Sequence, residues 1–211
     1  MENNAQKNIS KRSSVSTWLF NPFHFIAGGK ALVIGLVVIL VSGVLVYNGY
    51  HRFDGVVDFH ANGPRREAFW YIVADGYIAW LIMSVLLTVA ARIVSTSRVR
   101  IVDIFGTQAL ARWPMLIAAL IVQPSAAREM MGLIYLKIQG GSFSVVEILL
   151  SMGLNLLLLV PIIWMVALMY MAFAVSCNAR GAKAIITFVV AVLVGELLSK
   201  VAWFFLTPLA R

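Results

Sequence analysis

The sequence predicts an all-α fold, a polytopic membrane bundle of five transmembrane helices with the N-terminus in and the C-terminus out. Three observations predict it. The 211 residues are 61% hydrophobic and only 12% charged, with a mean hydropathy of +0.90, whereas about a quarter of a soluble domain is charged. Several nearly uncharged runs are each long enough for the ~20 residues of helix that cross a bilayer. Lys and Arg, which favour the cytoplasmic side of short loops, are unevenly shared between the two sets of loops. Together these features exclude a soluble enzyme.

Residues 1–23 read as a short basic cytoplasmic tail with Lys7, Lys11 and Arg12, and residues 24–211 as one membrane domain. The first span covers about 26–50. Its apolar core, Ala31 to Tyr47, is too long for a signal-peptide core and no A-x-A-like cleavage site follows it. The second span covers about 69–94, with Asp75 and Arg92 near its ends. The third, 106–138, is expected to be kinked, because Gln123-Pro124-Ser125 interrupts it and proline lacks the N–H that continues a helix. It could cross or re-enter. The fourth and fifth spans cover about 145–176 and 184–206.

Five crossings from an internal N-terminus put Lys7, Lys11, Arg12, Lys30, Arg92, Arg98, Arg100, Arg112, Arg180 and Lys183 inside. Arg52, Arg65, Arg66, Arg128, Lys137 and Arg211 fall outside, ten against six. If the third segment failed to cross, the basic loop Cys177 to Lys183 would lie outside. The odd span number and the lack of a repeat argue against paired inverted repeats. The net charge of +8 suits loops held against anionic headgroups. Nucleic acid is not an expected partner, since the Arg residues are spread over separate loops and no binding motif accompanies them.

Ala27, Ala31 and Gly35, and likewise Thr187, Ala191, Gly195 and Ser199, recur at intervals of four and so share one helix face. They are expected to be packing seams, because close approach through small residues drives helix association in lipid. Asp75, Asn155, Glu196 and Lys200 are the intramembrane polar candidates, where charge is costly. Glu196 and Lys200, at i and i+4, read as an intrahelical ion pair, and Asn155 with Ser151 as an interhelical hydrogen-bonding group. Asp75 sits among Trp70, Tyr71, Tyr77 and Trp80, an interfacial aromatic belt.

The loop with His51, Asp54, Asp58 and His60 offers donors for a divalent cation. Its spacing matches no metal motif, and Arg52, Arg65 and Arg66 oppose a cation, so a solvated loop is expected. No cofactor, metal site or catalytic residue is expected. Cys177 has no histidine near it in sequence, and no Gly-rich phosphate loop, HExxH or GxSxG occurs. Cys177 is juxtamembrane and could be acylated.

The stretch Arg98 to Pro114, RVRIVDIFGTQALARWP, places Arg98, Arg100 and Arg112 before an apolar run. It is expected on the cytoplasmic surface, where the three arginines would contact anionic lipid or a partner. Together with Asn21-Pro22-Phe23 before the first span, five spans with short loops, and Gly106, Ala111-Arg112 and Pro114 before the third span, it resembles bacterial members of the Yip-domain family. These are relatives of the Golgi proteins that interact with Rab GTPases. The resemblance covers about Trp18 to Leu206. It implies a non-enzymatic protein of the bacterial inner membrane that organises membrane or recruits a lipid, membrane or cytoplasmic protein partner. The tail is shorter than the recruiting segment of the eukaryotic members, so a Rab-like partner is not expected. The alternative is a small-solute or ion transporter or channel using Asp75, Asn155, Glu196 and Lys200. The exposed seams would permit a homo-oligomer.

Overall fold

The structure, a computed structural model, describes residues 15–61, 68–95, 98–138 and 140–206. Helix α1 (Val15–Phe20) and a 3-10 turn (Pro22–His24) lead into α2 (Gly28–Asn48). A small hairpin of β1 (His51–Arg52) and β2 (His60–Ala61) follows. The remaining helices are α3 (Phe69–Val94), α4 (Ile101–Leu110), α5 (Pro114–Ile121), α6 (Ser125–Ile138), α7 (Val145–Cys177) and α8 (Gly181–Leu206). Five stretches are long and apolar enough to cross a membrane: α2, α3, the α4–α5 unit Ile101–Ile121, α7 and α8.

Four of these match the sequence expectation closely, and the third is displaced from it. The long apolar unit begins at Ile101 and ends at Ile121, rather than running over 106–138. Pro114 interrupts but does not break it. Lacking an N–H, Pro114 cannot donate to Leu110, and the Trp113 N–H takes that carbonyl instead at 3.1 Å. The chain passes from α4 to α5 through i to i+3 turns, the 3-10 geometry that often links helical pieces. Pro124 then ends the unit, and α6, with Arg128, Glu129 and Lys137, is a separate helix. Lys137 bonds both carboxylate oxygens of Glu147 at 2.6 Å, tying α6 to the start of α7. There Ser144 and Glu147 form a capping box, each satisfying a backbone N–H that the helix itself cannot.

The α4–α5 unit is the hub, with 67% of its apolar stretch buried inside the protein against 28% to 39% in the other four. Helix α4 packs on α2, α3 and α7, while α8 lies chiefly on α3. Polar side chains bond across these contacts: Gln108 to the Met169 carbonyl at 2.9 Å, Thr107 with Ser176 at 3.0 Å, Trp80 to the Phe105 carbonyl at 3.0 Å and Tyr77 to the Leu36 carbonyl at 3.0 Å. The crossing of α2 and α4 requires glycine on both helices. A Cβ on Gly35 would overlap the Ala109–Leu110 backbone, and one on Gly106 the Gly28 carbonyl.

Both predicted seams face neighbours, with one exception. Ala31, Gly35, Ala191, Gly195 and Ser199 are buried and Thr187 is half-buried, but Ala27 is exposed and precedes the helix. Gly28 is the first buried residue of that helix. Residues 1–14 of the expected tail lie outside the described residues, while Val15–Phe20 is largely exposed and the turn after it packs on the bundle. Pro22 and Phe23 are buried, and Trp164 donates to the Leu19 carbonyl at 3.2 Å.

Candidate functional site

The loop expected to be solvated folds into the bundle. Phe53, Val56 and Phe59 are buried, alternating with Asp54 and Asp58, so that the apolar side chains point into the helices while the carboxylates meet each other. The tip reaches deep. Val56 approaches the position a side chain on Gly195 would take, beside Met83 of α3. Gly195 precedes Leu206 by eleven residues, about 17 Å of helix. Irregular backbone at such depth in a membrane is tolerated only where protein or enclosed water satisfies its polar groups.

Glu196 provides part of that satisfaction. Its Oε2 accepts the Val57 N–H at 3.1 Å, and a Cβ on Gly55 would overlap its carboxylate, so glycine lets the backbone close over the acid. One turn further along α8, Lys200 donates to Asp54 Oδ1 at 2.8 Å and to Asp58 Oδ2, and lies 3.6 Å from Glu196 Oε1. The pair Glu196 and Lys200 is therefore not self-contained, as the sequence suggested. It is the helical half of a clasp whose other half is the hairpin.

His60 completes the clasp, with Nδ1 at 3.3 Å from Asp54 Oδ1 and 3.5 Å from Asp58 Oδ1. Hydrogen bonds to Asp54 and then Asp58 raise its pKa from the ordinary 6.5 to about 9, so it is a cation at neutral pH. The same bond from His60, ahead of opposing burial, holds Asp58 well below the usual carboxylate range. Burial pushes Asp54 up, but bonds from His60 and Lys200 outweigh it and leave its pKa lowered. His51, in contrast, is pushed down by burial and is neutral. It bonds the Gly49 carbonyl at 2.8 Å and stacks on Phe59.

Donor atoms of Asp54, Asp58 and His60 lie within 4.8 Å of one another, a combination that suits a divalent cation. The Lys200 ammonium is bonded to both carboxylates and supplies the positive charge at that point. Among the described residues the cluster is an ion-pair network.

To one side, Asp75 is buried and lies 4.0 Å from Arg52. The Arg52 guanidinium is 3.3 Å from the ring centre of Trp203, with Tyr71 beyond it, a cation–π contact. Arg112, expected on the cytoplasmic surface, is instead only 6% exposed. This corrects its assignment as a lipid or partner contact. The turn at Pro114 directs it inward, where it lines a cavity of about 20 Å³ with Ser42, Phe53, Gly76 and Met115, room for a single water. Arg112 Nη2 and Ser42 Oγ have no hydrogen-bond partner among the described residues. Glu196 acts on Arg112 electrostatically. Asp54, Asp58, Asp75 and Glu196 thus face Arg52, His60, Lys200 and Arg112, and the network is close to neutral.

The other candidates stand apart. Asn155 is exposed on α7 and bonds its own helix, at the Ser151 carbonyl, at 2.8 Å. Arg98 and Arg100 are exposed, Arg100 lying 3.9 Å from Asp103. Cys177 is buried. Arg65 and Arg66 lie outside the described residues. Comparison with known proteins gives no match to any family model and no significant match to a curated protein or a solved structure. Arg52, Phe53, Gly55 and Val56 were missed as site residues. Their signal was the apolar alternation of Phe53, Val56 and Phe59 between acids, which a solvated loop does not need.

Proposed function

We propose that this is a non-enzymatic, Yip-like protein of a bacterial inner membrane, N-terminus in and C-terminus out, which recruits anionic lipid or a partner through its basic end. The observation that carries this reading is where accessible charge sits. The end formed by the start of α2, the α3–α4 connection and the α7–α8 turn exposes Lys30, Arg92, Arg98, Arg100, Arg180 and Lys183, with Asp103 as its acid among the described residues. The opposite end carries Asp54, Asp58, Glu129 and Glu147, and its cations are engaged, Lys137 by Glu147, Lys200 and His60 by Asp54 and Asp58, and Arg128 by the Asn48 carbonyl. Basic loops favour the cytoplasm, and an exposed basic cluster there is attracted to anionic lipid.

The buried charges fit architecture better than transport. A transport path would need Asp75, Asn155, Glu196 and Lys200 to face one cavity, but Asn155 lines a separate cleft with Phe59 and α7 residues that none of the other three enters, and those three are engaged by the hairpin. The test is binding of the purified protein to vesicles containing phosphatidylglycerol, and recovery of co-purifying proteins, for the wild type and for Arg98→Gln with Arg100→Gln. Weakened binding in the double variant is expected; unchanged binding to both lipid and protein would remove the recruiting role from this end.

A further inference from the structure

Where α3 passes to α4, a cleft of about 370 Å³ opens between the last turns of one helix and the first turn of the next. Its size falls within the range of small-ligand sites. Thr88, Arg92 and Ser95 lie along one side, and Val99, Ile101 and Ile104 supply apolar wall. Arg92 is exposed and makes no ion pair among the described residues, although it projects from the last turn of a helix 26 residues long that is apolar enough to span. An arginine there extends its guanidinium to headgroup depth while its stem stays against apolar surface. Thr88 already donates to the Ser84 carbonyl at 2.7 Å, so its oxygen adds no donor. The nearest acid on α4, Asp103, is beside Arg100.

We infer that this cleft binds the phosphodiester headgroup of an anionic phospholipid, with the Arg92 guanidinium on the phosphate and the glycerol and upper acyl chain against Val99, Ile101 and Ile104. The inference rests on the proposed basic, lipid-facing end and names a specific seat within it. Three features select a lipid: the mixture of one cation with apolar wall, the position at the terminus of a membrane-long helix, and the surrounding excess of exposed cations. Planar guanidinium geometry suits phosphate oxygens better than an ammonium does.

The experiment is native mass spectrometry of the full chain in detergent titrated with phosphatidylglycerol or phosphatidylcholine, with glycerol phosphate as a soluble competitor. The wild type is expected to retain one phosphatidylglycerol in preference to phosphatidylcholine and to resist the competitor. Arg92→Gln is expected to reduce retention about fivefold, the effect of about one basic residue at an anionic surface, with Arg92→Lys intermediate. Arg98→Gln with Arg100→Gln is expected to keep the retained lipid while losing vesicle recruitment, which separates this site from the broader reading. Equal retention by wild type and Arg92→Gln would overturn the inference. So would displacement by glycerol phosphate at the lipid's own concentration, which would show a soluble-phosphate site, or occupation of the cleft by a co-purified protein segment.

Discussion

Arg112 and Lys200 are both cations within apolar helices, yet their surroundings assign them opposite effects on stability. Lys200 bonds Asp54 and Asp58, so Lys200→Met leaves two carboxylates without their shared counterion. Breaking a buried pair by removing one partner costs about 3 to 5 kcal/mol; Lys200 is 40% exposed, so solvent screening lowers the expected loss to about 1 to 2 kcal/mol, read as a lower thermal midpoint in detergent. Arg112 has an unbonded Nη2 in a site with room for one water, and Glu196 keeps both Lys200 and the Val57 N–H without it. Arg112→Met is therefore expected to leave the midpoint unchanged or raise it, since it relieves the desolvation cost of a buried cation with an unmet donor while Glu196 keeps its other partners. A large drop would mean that Arg112 holds Glu196 in place.

The hairpin is the element on which pH acts. His60 has its pKa raised from 6.5 to about 9, so its contribution is fully present below pH 6.5 and is lost as pH rises through about 9. Asp54 and Asp58 have lowered values, so theirs is present above about pH 4 and is lost as pH falls through the folded values. A cysteine at position 57, whose backbone N–H closes on Glu196, reports directly on the clasp. In a Cys177→Ser background, maleimide labelling of Val57→Cys is compared with that of the denatured chain at the same pH. The ratio is expected to be low between about pH 5 and 8, the window between the two limits, and to rise above about pH 9. His60→Gln is expected to remove the alkaline limb. Among the helices, the α2–α4 crossing has no slack. Gly106→Val places a side chain on the Gly28 carbonyl, and overpacking of about 1 to 3 kcal/mol or more is expected as reduced folded yield on size-exclusion chromatography.

At the scale of the whole molecule, the long apolar runs made four spans legible, because length and low charge are all that a bilayer demands of a helix. The third was misplaced because Thr107, Gln108 and Arg112 look interfacial to a hydropathy reading. Thr107 and Gln108 are buried by bonding across helices, information that resides in their partners and not in their own neighbourhood. The site was half legible for the same reason. Glu196 and Lys200 stood out as charges in an apolar run, where charge is costly. Their main partners, the Val57 N–H, Asp58 and Asp54, are 139, 142 and 146 residues away in the chain. Asp54 and Asp58 look like loop residues until the hairpin is seen to enter the bundle.

Six exposed cations among the described residues, Lys30, Arg92, Arg98, Arg100, Arg180 and Lys183, gather at one end, and the reading of that asymmetry depends on orientation. The most direct measurement is labelling by a membrane-impermeant maleimide, in a Cys177→Ser background, of Arg180→Cys and Gly141→Cys expressed in a bacterial inner membrane. Residue 180 belongs to the basic end and residue 141 to the opposite one, before α7. Labelling of position 180 only from the cytoplasmic side, and of position 141 only from outside, is the expected result. The reverse pattern, or both positions reacting from one side, would contradict a basic end that faces the cytoplasm and recruits there.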